Sequence, residues 1–429
     1  MLNCCTKQGE IRVEIQATQA TFRGYLSFWS GQLVSLLGSS VASFVIIWWI
    51  MLETESALYL SIASVVGFAP IVILTPFTGV LVDRWSRKAL IGIVDFLQAL
   101  VTVVLIFFFW LDIISIWQVL ALLGLRGVFQ AFHAPAVSAI IPLMIPRDKL
   151  SRMNGLNYLL SGAFTLVGPV LAAILLEIWE IHQILWIDAG TFIIAVIPLL
   201  IVKIPSVRQK QDKNQDKPSF KEEFKEGLVF IRNARGFLTF IMLATVLNFL
   251  LTPLSTLLPY YVKFDHLGEA PDLAFVMAAF QGGILGGGLL MSVIKGFKKK
   301  MAAIMFSINL ICIGYALVAL TPAGLFWFMA IGGIIMAFCL PIANVSIQTI
   351  RQTVVPMEMQ GRVTSVVGAL AGAATPFGMI LSGTIVEFTK TAHLFLGCAG
   401  LGILISTVAW FLTDIRYVEE MGQRGSREG

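Results

Sequence analysis

The sequence predicts an all-α membrane protein in which twelve transmembrane helices form two pseudo-repeated lobes of six helices each. Three observations support this fold class: the composition, the lengths of the apolar stretches and the positions of the basic residues. Hydrophobic residues make up 57% of the 429 residues and charged residues only 13%, against roughly 45–50% and about 25% in soluble domains. A chain this apolar is suited to a lipid bilayer.

A helix that crosses the bilayer needs about 20 mostly apolar residues, because lipid offers the backbone no hydrogen-bond partners. The predicted spans are residues 25–52, 57–82, 89–111, 114–144, 153–176, 183–202, 236–262, 272–294, 301–320, 324–350, 362–386 and 392–412. The stretches 114–144 and 324–350 exceed one bilayer thickness, so we expect them to tilt or to extend into the cytoplasm. Residues 1–24 lack the apolar core and cleavage site of a signal peptide.

The basic residues lie almost entirely on one side of these helices. With both termini in the cytoplasm, 27 of the 30 Lys and Arg residues are cytoplasmic, and the exceptions are Lys263 and Lys390 outside and Arg126 within a helix. Basic loops stay on the cytoplasmic side during insertion. We therefore predict a multi-pass protein of the cell membrane with cytoplasmic termini. The net charge of +5 reflects this asymmetry, and no nucleic-acid partner is predicted.

One long hydrophilic connection divides the spans six and six. Residues 203–235 carry nine Lys or Arg and five Asp or Glu residues. Within them, 208–218 is typical of a solvated linker, and a short surface helix is predicted around Phe220–Ile231. The predicted organisation is a tail at 1–24, a lobe at 25–202, the linker at 203–235, a lobe at 236–412 and a tail at 413–429.

The two lobes resemble each other in sequence. Arg23-Gly-Tyr-Leu-Ser-Phe recurs as Arg235-Gly-Phe-Leu-Thr-Phe, at an offset of 212. At an offset of 210, Pro146, Arg152, Gly162, Thr165 and Gly168 recur as Pro356, Arg362, Gly372, Thr375 and Gly378. Two groups at nearly the same offset indicate a tandem repeat. Parallel repeats are characteristic of two-lobed transporters that bind substrate where the lobes meet.

Three charged residues lie well inside predicted spans: Arg126, Asp95 and Asp188. A charge in the bilayer is costly, so it normally faces a partner or a wet cavity and marks a functional site. Counting the rise per residue, Asp188 lies nearer in depth to Arg126 than Asp95 does. Structural pairing and proton coupling are both open for the two acids. The equivalent repeat positions carry no such charge, so any coupling is predicted to reside in the N-terminal half.

A titratable histidine and a set of polar and aromatic residues complete the candidate site. His133 could titrate near neutral pH or hydrogen-bond a neighbouring helix. The predicted lining of the substrate pocket is Gln32, Phe129, Phe132, Asn248, Gln281 and Asn344. Aromatic walls with few neutral polar groups suit a bulky amphipathic ligand. For each of these residues, a helix–helix contact is the alternative role.

The loop between the second and third spans reads Gly79-Val-Leu-Val-Asp-Arg-Trp-Ser-Arg-Lys. It resembles the signature loop of the major facilitator superfamily, Gly-x-x-x-Asp-Arg-x-Gly-Arg-Arg/Lys, with Ser86 where Gly is usual. In that family the loop latches the lobes in the outward-open state. The resemblance therefore implies a gating role for Gly79, Asp83, Arg84, Arg87 and Lys88. Asp83 is also placed to cap the third helix. The alternative is a charge cluster that only sets the topology.

Further motifs carry the same resemblance. Gly168-Pro169 resembles the antiporter signature of the family, and Ala172 and Ala173 stand where it has paired glycines. Arg126 resembles the arginine that the superfamily places in its fourth helix. Phe129-Gln-Ala-Phe-His-Ala-Pro-Ala, together with Gly31-Gln-Leu-Val-Ser-Leu, is similar to macrolide-efflux permeases of the drug:proton antiporter type. This resemblance extends from about residue 24 to residue 412.

The resemblance implies secondary active transport, with proton-coupled efflux of amphipathic drugs such as macrolides by alternating access. The expected partners are a small amphipathic substrate, protons and the lipid bilayer, and the expected state is a monomer. A lipid, lysolipid or metabolite transporter is one alternative, and a membrane sensor without transport is another. The sequence contains no P-loop, His/Cys metal cluster or nucleophile elbow, so no enzymatic activity, cofactor or metal is predicted.

Overall fold

The computed structural model describes residues 18–204, 220–234, 236–294, 296–297 and 299–419. Within them, twelve helices are long and apolar enough to cross a membrane. This confirms the predicted all-α class and the predicted number of spans. The predicted linker segment 208–218 lies outside the described residues.

Six of the spanning helices precede the linker. They are α1 (Gln19–Thr54), α2 (Ala57–Arg84), α3 (Arg87–Trp110), α4 (Ile116–Met144), α5 (Arg147–Leu176) and α6 (Ile181–Ile201). The first helix begins six residues before the predicted span at residue 25. Its polar first turn is capped reciprocally, since each hydroxyl of Thr18 and Thr21 accepts a hydrogen bond from the other residue's backbone N–H. A prediction from hydropathy starts the span after this turn, because it does not account for polar residues that cap a helix.

The remaining helices follow the linker. They are α7 (Phe220–Asn233), α8 (Phe237–Tyr260), α9 (Ala270–Val293), α10 (Lys300–Ala319), α11 (Phe326–Val354), α12 (Gln360–Val386) and α13 (Thr391–Leu412). The short helix α7 confirms the surface helix predicted around Phe220–Ile231. A π-helical turn at Tyr261–Asp265 continues α8.

The chain forms two compact units, of which the first comprises residues 1–46 and 66–212 and the second residues 47–65 and 213–429. The first unit therefore lacks the segment Ile47–Val65, which the predicted first lobe, 25–202, includes. This segment belongs to the second unit because it packs there. The Ser61 hydroxyl lies 3.5 Å from that of Ser382, and the Lys263 ammonium lies 5.6 Å from the ring centre of Trp48.

Each unit has its own apolar core. In the first, Tyr25, Phe28, Ile91, Ala136 and Ile140 are buried where α1, α3 and α4 pack together. In the second, residues of α8, α10, α12 and α7 form the corresponding cluster, which includes Ile231, Phe237, Ile304, Val363 and Val366. The core of the second unit therefore anchors the surface helix as well as the spanning helices.

Close helix packing repeats between the units at equivalent residues. Gly168 on α5 lies so near α1 that an added Cβ would collide with the side chain of Ser40. Gly378 on α12 occupies the same place against α8, where an added Cβ would lie 3.1 Å from Cβ of Thr252. The sequence offsets are 210 for the glycines and 212 for their partners. The tandem repeat seen in the sequence thus has a counterpart in how each unit packs.

Candidate functional site

The carboxylate of Asp188 is the centre of a polar cluster inside the first unit. Arg126 on α4 places Nη2 3.3 Å from its Oδ2. The Thr102 hydroxyl on α3 donates to the same oxygen at 2.7 Å, and the Ser39 hydroxyl on α1 donates to Oδ1 at 2.8 Å. Four helices of the unit therefore converge on one carboxylate.

The ion pair is largely removed from solvent. The side chains of Arg126 and Asp188 are 14% and 7% exposed. Arg126 also donates from Nη1 to the Thr102 hydroxyl at 3.2 Å. A guanidinium at mid-bilayer depth costs about 2.5–3.5 kcal/mol on insertion scales, and this partner set offsets that cost. Of the two acids considered from the sequence, Asp188 is the one that contacts Arg126.

A second polar cluster holds the other acid. Oδ1 of Asp95 lies 3.0 Å from Nε2 of His133, and the Gln32 amide on α1 donates to Oδ2 at 3.1 Å. The net charge of this pair depends on whether His133 carries a proton. The structure therefore places Gln32, which was predicted to line the substrate pocket, on a carboxylate.

The two clusters belong to one polar ladder between α3 and α4. Between them, the Gln98 amide donates to the Gln130 side-chain carbonyl at 3.2 Å. Arg126 and His133 are seven residues apart on α4, which corresponds to about 10 Å along the helix axis. The two clusters are thus stacked along α3 and α4, with an amide pair at the level between them.

The other five predicted lining residues lie in different environments. Asn248 and Asn344 line one cavity in the second unit, between α8, α10 and α11. Phe129 and Phe132 instead pack against the apolar core of the first unit. Gln281 is half-buried and is not among the residues that line this cavity. The structure therefore brings together two of the six predicted residues in a cavity.

Sequence reasoning missed the hydroxyls of Ser39 and Thr102, which complete the shell of Asp188. Serine and threonine are common in membrane helices, and their hydroxyls often bond to the backbone of the same helix. One signal was available for Thr102, because it lies seven residues from Asp95 and therefore on the same face of α3. No comparable signal marked Ser39.

Comparisons with known proteins show which family this chain belongs to. The sequence profile described as Major Facilitator Superfamily matches residues 28–349. The chain belongs to the Major Facilitator Superfamily. It is similar to Macrolide efflux protein A of Streptococcus pyogenes, at 30% identity over 397 residues that cover 92% of this chain and 97% of that protein. It is also similar to the multidrug efflux pump Tap of Mycolicibacterium fortuitum, at 25% identity over 89% of this chain and 94% of that protein.

A solved structure shares the superfamily fold. The bacterial homologue of the iron transporter ferroportin, in its inward-facing state, superposes with a TM-score of 0.69 at 15% sequence identity. The match covers 91% of this chain and 99% of that chain. This likeness shows that the chain has the same fold, which agrees with the twelve described helices that are long and apolar enough to cross a membrane.

The superfamily loop between α2 and α3 is described in part. The environment of Gly79 and the side chains of Asp83 and Arg84 lie outside what the structure describes, so the proposed latch contacts of Asp83 stay a prediction. Ser86 is the residue that caps α3, since its side chain accepts from the Ala89 N–H at 3.5 Å.

The two basic residues of this loop that are described contact backbone carbonyls. Arg87 donates to the Ala139 carbonyl of α4 at 2.9 Å. The Lys88 ammonium donates to the carbonyls of Leu200 and Val202, at 2.7 and 2.8 Å. These carbonyls lie at the end of α6, where a cation is favoured by the helix dipole. The basic part of the loop thus ties α3 to α4 and α6 within the first unit.

The antiporter signature also has a structural role within its unit. Gly168 permits α5 to approach Ser40 of α1 closely, as described above. Pro169 follows within the helix, where it removes one backbone hydrogen bond. Ala172 and Ala173, which stand where the superfamily signature has paired glycines, are fully buried. Small residues at these positions allow close helix contact.

Proposed function

We propose that this protein is a proton-driven exporter of amphipathic drugs, macrolides among them, that works by alternating access. The observation that carries the proposal is the convergence of α1, α3, α4 and α6 on the Asp188 carboxylate. An intramembrane acid with a basic partner is the usual element of a proton relay. The names of two relatives, a macrolide efflux protein and a multidrug efflux pump, support the class of substrate.

Protonation of Asp188 supplies the switch in this mechanism. The ionised carboxylate attracts Arg126 and accepts from the Thr102 and Ser39 hydroxyls. A proton on the carboxyl removes the charge that Arg126 faces, so the guanidinium must find another partner. Because four helices meet at this group, the two protonation states favour different packing within the unit. A proton thereby biases an equilibrium between two conformations, as a coupled transporter requires.

Asp95 and His133 are the second candidate for proton coupling. His133 contacts the carboxylate directly, so a proton on the imidazole makes the pair neutral and its loss leaves a net negative charge. This change would occur about two helical turns from Arg126 on α4. We assign the primary coupling role to Asp188, because its carboxylate connects more helices.

Substrate binding is assigned to the predicted polar and aromatic residues, which differ in whether they line a cavity. Asn248 and Asn344 have the strongest, since both line one cavity. Gln32 is engaged by Asp95 and would contact substrate only after this bond breaks. Phe129, Phe132 and Gln281 are proposed as substrate contacts although they do not line this cavity.

Orientation, gating and state of assembly complete the proposal. The distribution of basic residues supports cytoplasmic termini. The loop from Gly79 to Lys88 is proposed to latch the outward-open state through Asp83. A monomer is proposed as the working unit, because the superfamily repeat supplies both halves of a transporter within one chain.

Transport in reconstituted vesicles tests the function. We expect radiolabelled erythromycin to move against its gradient when a pH gradient is imposed, and this movement should collapse when the gradient is dissipated. Asp188→Asn should abolish the response to the gradient. The matched control Asp148→Asn, at an exposed acid in the first turn of α5, should behave as wild type. Movement that persists unchanged without any ion gradient contradicts the proposal and indicates a facilitator or scramblase.

A further inference from the structure

The second unit contains a small cavity whose walls are mainly aliphatic. It has a volume of about 90 Å³ and lies between α8, α10 and α11. Leu243, Leu247, Ile304 and Ile308 form its floor and are almost fully buried. These walls offer water few polar partners, and water needs two or more of them to stay in a cavity.

Two asparagines supply the side-chain amides of this cavity. Asn248 and Asn344 both have exposed side chains, so they lie where the cavity opens. The Asn248 amide nitrogen donates to the Ala244 carbonyl at 3.0 Å, which leaves its side-chain oxygen available as an acceptor. Asn344 makes no side-chain hydrogen bond to any described residue. The opening therefore presents an acceptor and a whole amide beside an aliphatic interior.

The size of the cavity decides what it can hold. Pockets for whole drug-sized molecules measure about 300–1,000 Å³. An engineered apolar cavity of about 150 Å³ holds benzene. A volume of about 90 Å³ is therefore too small for a complete amphipathic drug and also smaller than a benzene site. It matches a short or branched alkyl group.

We propose that this cavity is a subsite for one short alkyl group of the transported molecule, with a neighbouring hydroxyl or amine held by Asn248 and Asn344. The substrates selected by this subsite are amphipathic molecules in which a branched or short alkyl group adjoins a hydrogen-bonding group. The inference rests on the proposed export function, which it refines by naming the feature of the substrate that the second unit recognises.

Affinity should depend on alkyl chain length in a defined way. Burial of each methylene contributes about 0.8 kcal/mol, which corresponds to roughly fourfold in affinity. Binding should strengthen by this factor per methylene until the cavity is full, and longer chains should then bind more weakly. A flat or lipid-like surface would instead strengthen binding with every added methylene and show no optimum.

Three variants separate the subsite from general hydrophobicity. Ala244→Leu adds three carbons to a lining residue and should fill the cavity. Ile308→Ala removes three carbons from a buried wall and should enlarge it. Ile313→Ala is the matched control, because the same residue type on the same helix is 45% exposed and does not line the cavity. Ile308→Val makes a smaller enlargement if Ile308→Ala is not recovered from the membrane.

The experiment measures equilibrium binding by fluorescence polarisation on the purified full chain. The probes are rhodamines whose amino groups carry methyl, ethyl, propyl or butyl chains. We expect an optimum chain length in wild type, a loss of about tenfold for the propyl probe relative to the methyl probe in Ala244→Leu, and a shift to longer chains in Ile308→Ala. Ile313→Ala should match wild type.

The outcomes distinguish the subsite from the function. An unchanged chain-length order in both cavity variants overturns the subsite, as does the absence of any rhodamine binding to wild type. Neither result depends on a proton gradient. Failure of erythromycin transport by wild type in vesicles overturns the export function instead, whatever the rhodamines show.

Discussion

The helix interface of the first unit that contains α3, α4 and α6 carries an ion pair, whereas the equivalent positions of its repeat counterpart in the second unit, with α10, α11 and α13, hold uncharged side chains. The polar residues of the first interface are Asp95, Thr102, Arg126 and Asp188, and the residues at an offset of 210 are Met305, Cys312, Met336 and Cys398. The four residues of the second interface are all buried. Equivalent packing positions thus hold an ion pair in one unit and thioether and thiol groups in the other.

This difference indicates that the fold does not require the charges. Methionine and cysteine fill a buried interface without needing a partner. A buried ion pair, in contrast, is weak evidence for stability, because the desolvation penalty can exceed the attraction between the charges. The comparison therefore supports the proposal that the polar ladder of the first unit serves coupling.

The largest expected effect comes from breaking the ion pair on one side. Arg126→Ala leaves the Asp188 carboxylate without its cation in a low-dielectric site, and should lower stability by about 3–5 kcal/mol. The double variant Arg126→Ala/Asp188→Ala should be more stable than Arg126→Ala alone. Thermal unfolding in detergent of the wild type, Arg126→Ala, Asp188→Ala and the double variant measures these differences in stability. A double variant that equals the sum of the singles would show that the two sites are independent.

Making the first interface resemble the second sharpens the comparison. Arg126→Met combined with Asp188→Cys introduces the residue types of the repeat positions. We expect stability within about 1–2 kcal/mol of wild type, since replacing both ionic partners by apolar groups is often neutral or stabilising.

Coupling, in contrast, should not survive this exchange. The double variant should fold and reach the membrane, yet lose transport that depends on the pH gradient. Met336→Arg in the second unit is the opposite control, because it buries a guanidinium without an acid at Cys398, and its yield should fall. Intact gradient-driven transport by the double variant would remove Asp188 from the coupling mechanism.

The paired glycines allow a smaller test of the repeat. Gly168→Ala should cost about 1–3 kcal/mol, because the new methyl group collides with Ser40. Gly378→Ala should cost less than about 1 kcal/mol, since its Cβ would lie 3.1 Å from Thr252 and small shifts can relieve this contact. Adding Ser40→Gly to Gly168→Ala should restore stability. Equal losses at both glycines would contradict this difference in packing.

Two histidines extend the comparison to pH. His133 in the first unit faces the Asp95 carboxylate. His266 in the second unit is 5% exposed and lies edge-on to Tyr261, with ring centres 4.4 Å apart. Its Nδ1 has no hydrogen-bond partner among the described residues. Burial lowers the pKa of His266, although Asp265 and a hydrogen bond to the Pro322 backbone act in the opposite direction.

The smallest expected effect follows from this lowered pKa. The unfolded chain binds a proton at His266 more tightly than the folded protein does. The free energy of unfolding therefore decreases as the pH falls below about 6.5, the usual pKa of histidine. The loss is at most about 1.4 kcal/mol per pH unit. His266→Phe should flatten this part of the stability curve, as measured by thermal unfolding between pH 5 and 8. An identical slope in the variant would assign the pH dependence to other groups.

Several features of the protein could be predicted from sequence because they depend on single segments. The number of spans follows from the lengths of the apolar stretches. The surface helix α7 follows from apolar residues at helical spacing among charged residues. The need of Arg126 for a partner follows from the cost of a charge in lipid. The expected depth in the bilayer also favoured Asp188 over Asp95 as the partner of Arg126, because depth can be counted from the rise per residue of each helix.

Other features depended on the rotation of each helix about its axis. Sequence could not separate the hydroxyls of Ser39 and Thr102, which bind Asp188, from the many that bond their own helix. It predicted Gln32 and the aromatic residues of α4 as pocket residues, but it could not show that Gln32 donates to Asp95 or that the two phenylalanines pack against an apolar core.

The sequence by itself determined the membrane class, the number of spans and the location of the intramembrane charges in one half of the chain. These properties depend on how each segment partitions between water and lipid, which is a local quantity. Only the tertiary structure decided that Arg126 pairs with Asp188, that His133 pairs with Asp95 and that Asn248 and Asn344 share a cavity. Those choices depend on which helices are neighbours and which faces they turn to each other. Close contacts at small residues such as Gly168 fix which helices are neighbours and which faces meet. These contacts involve two segments, so no single segment encodes them.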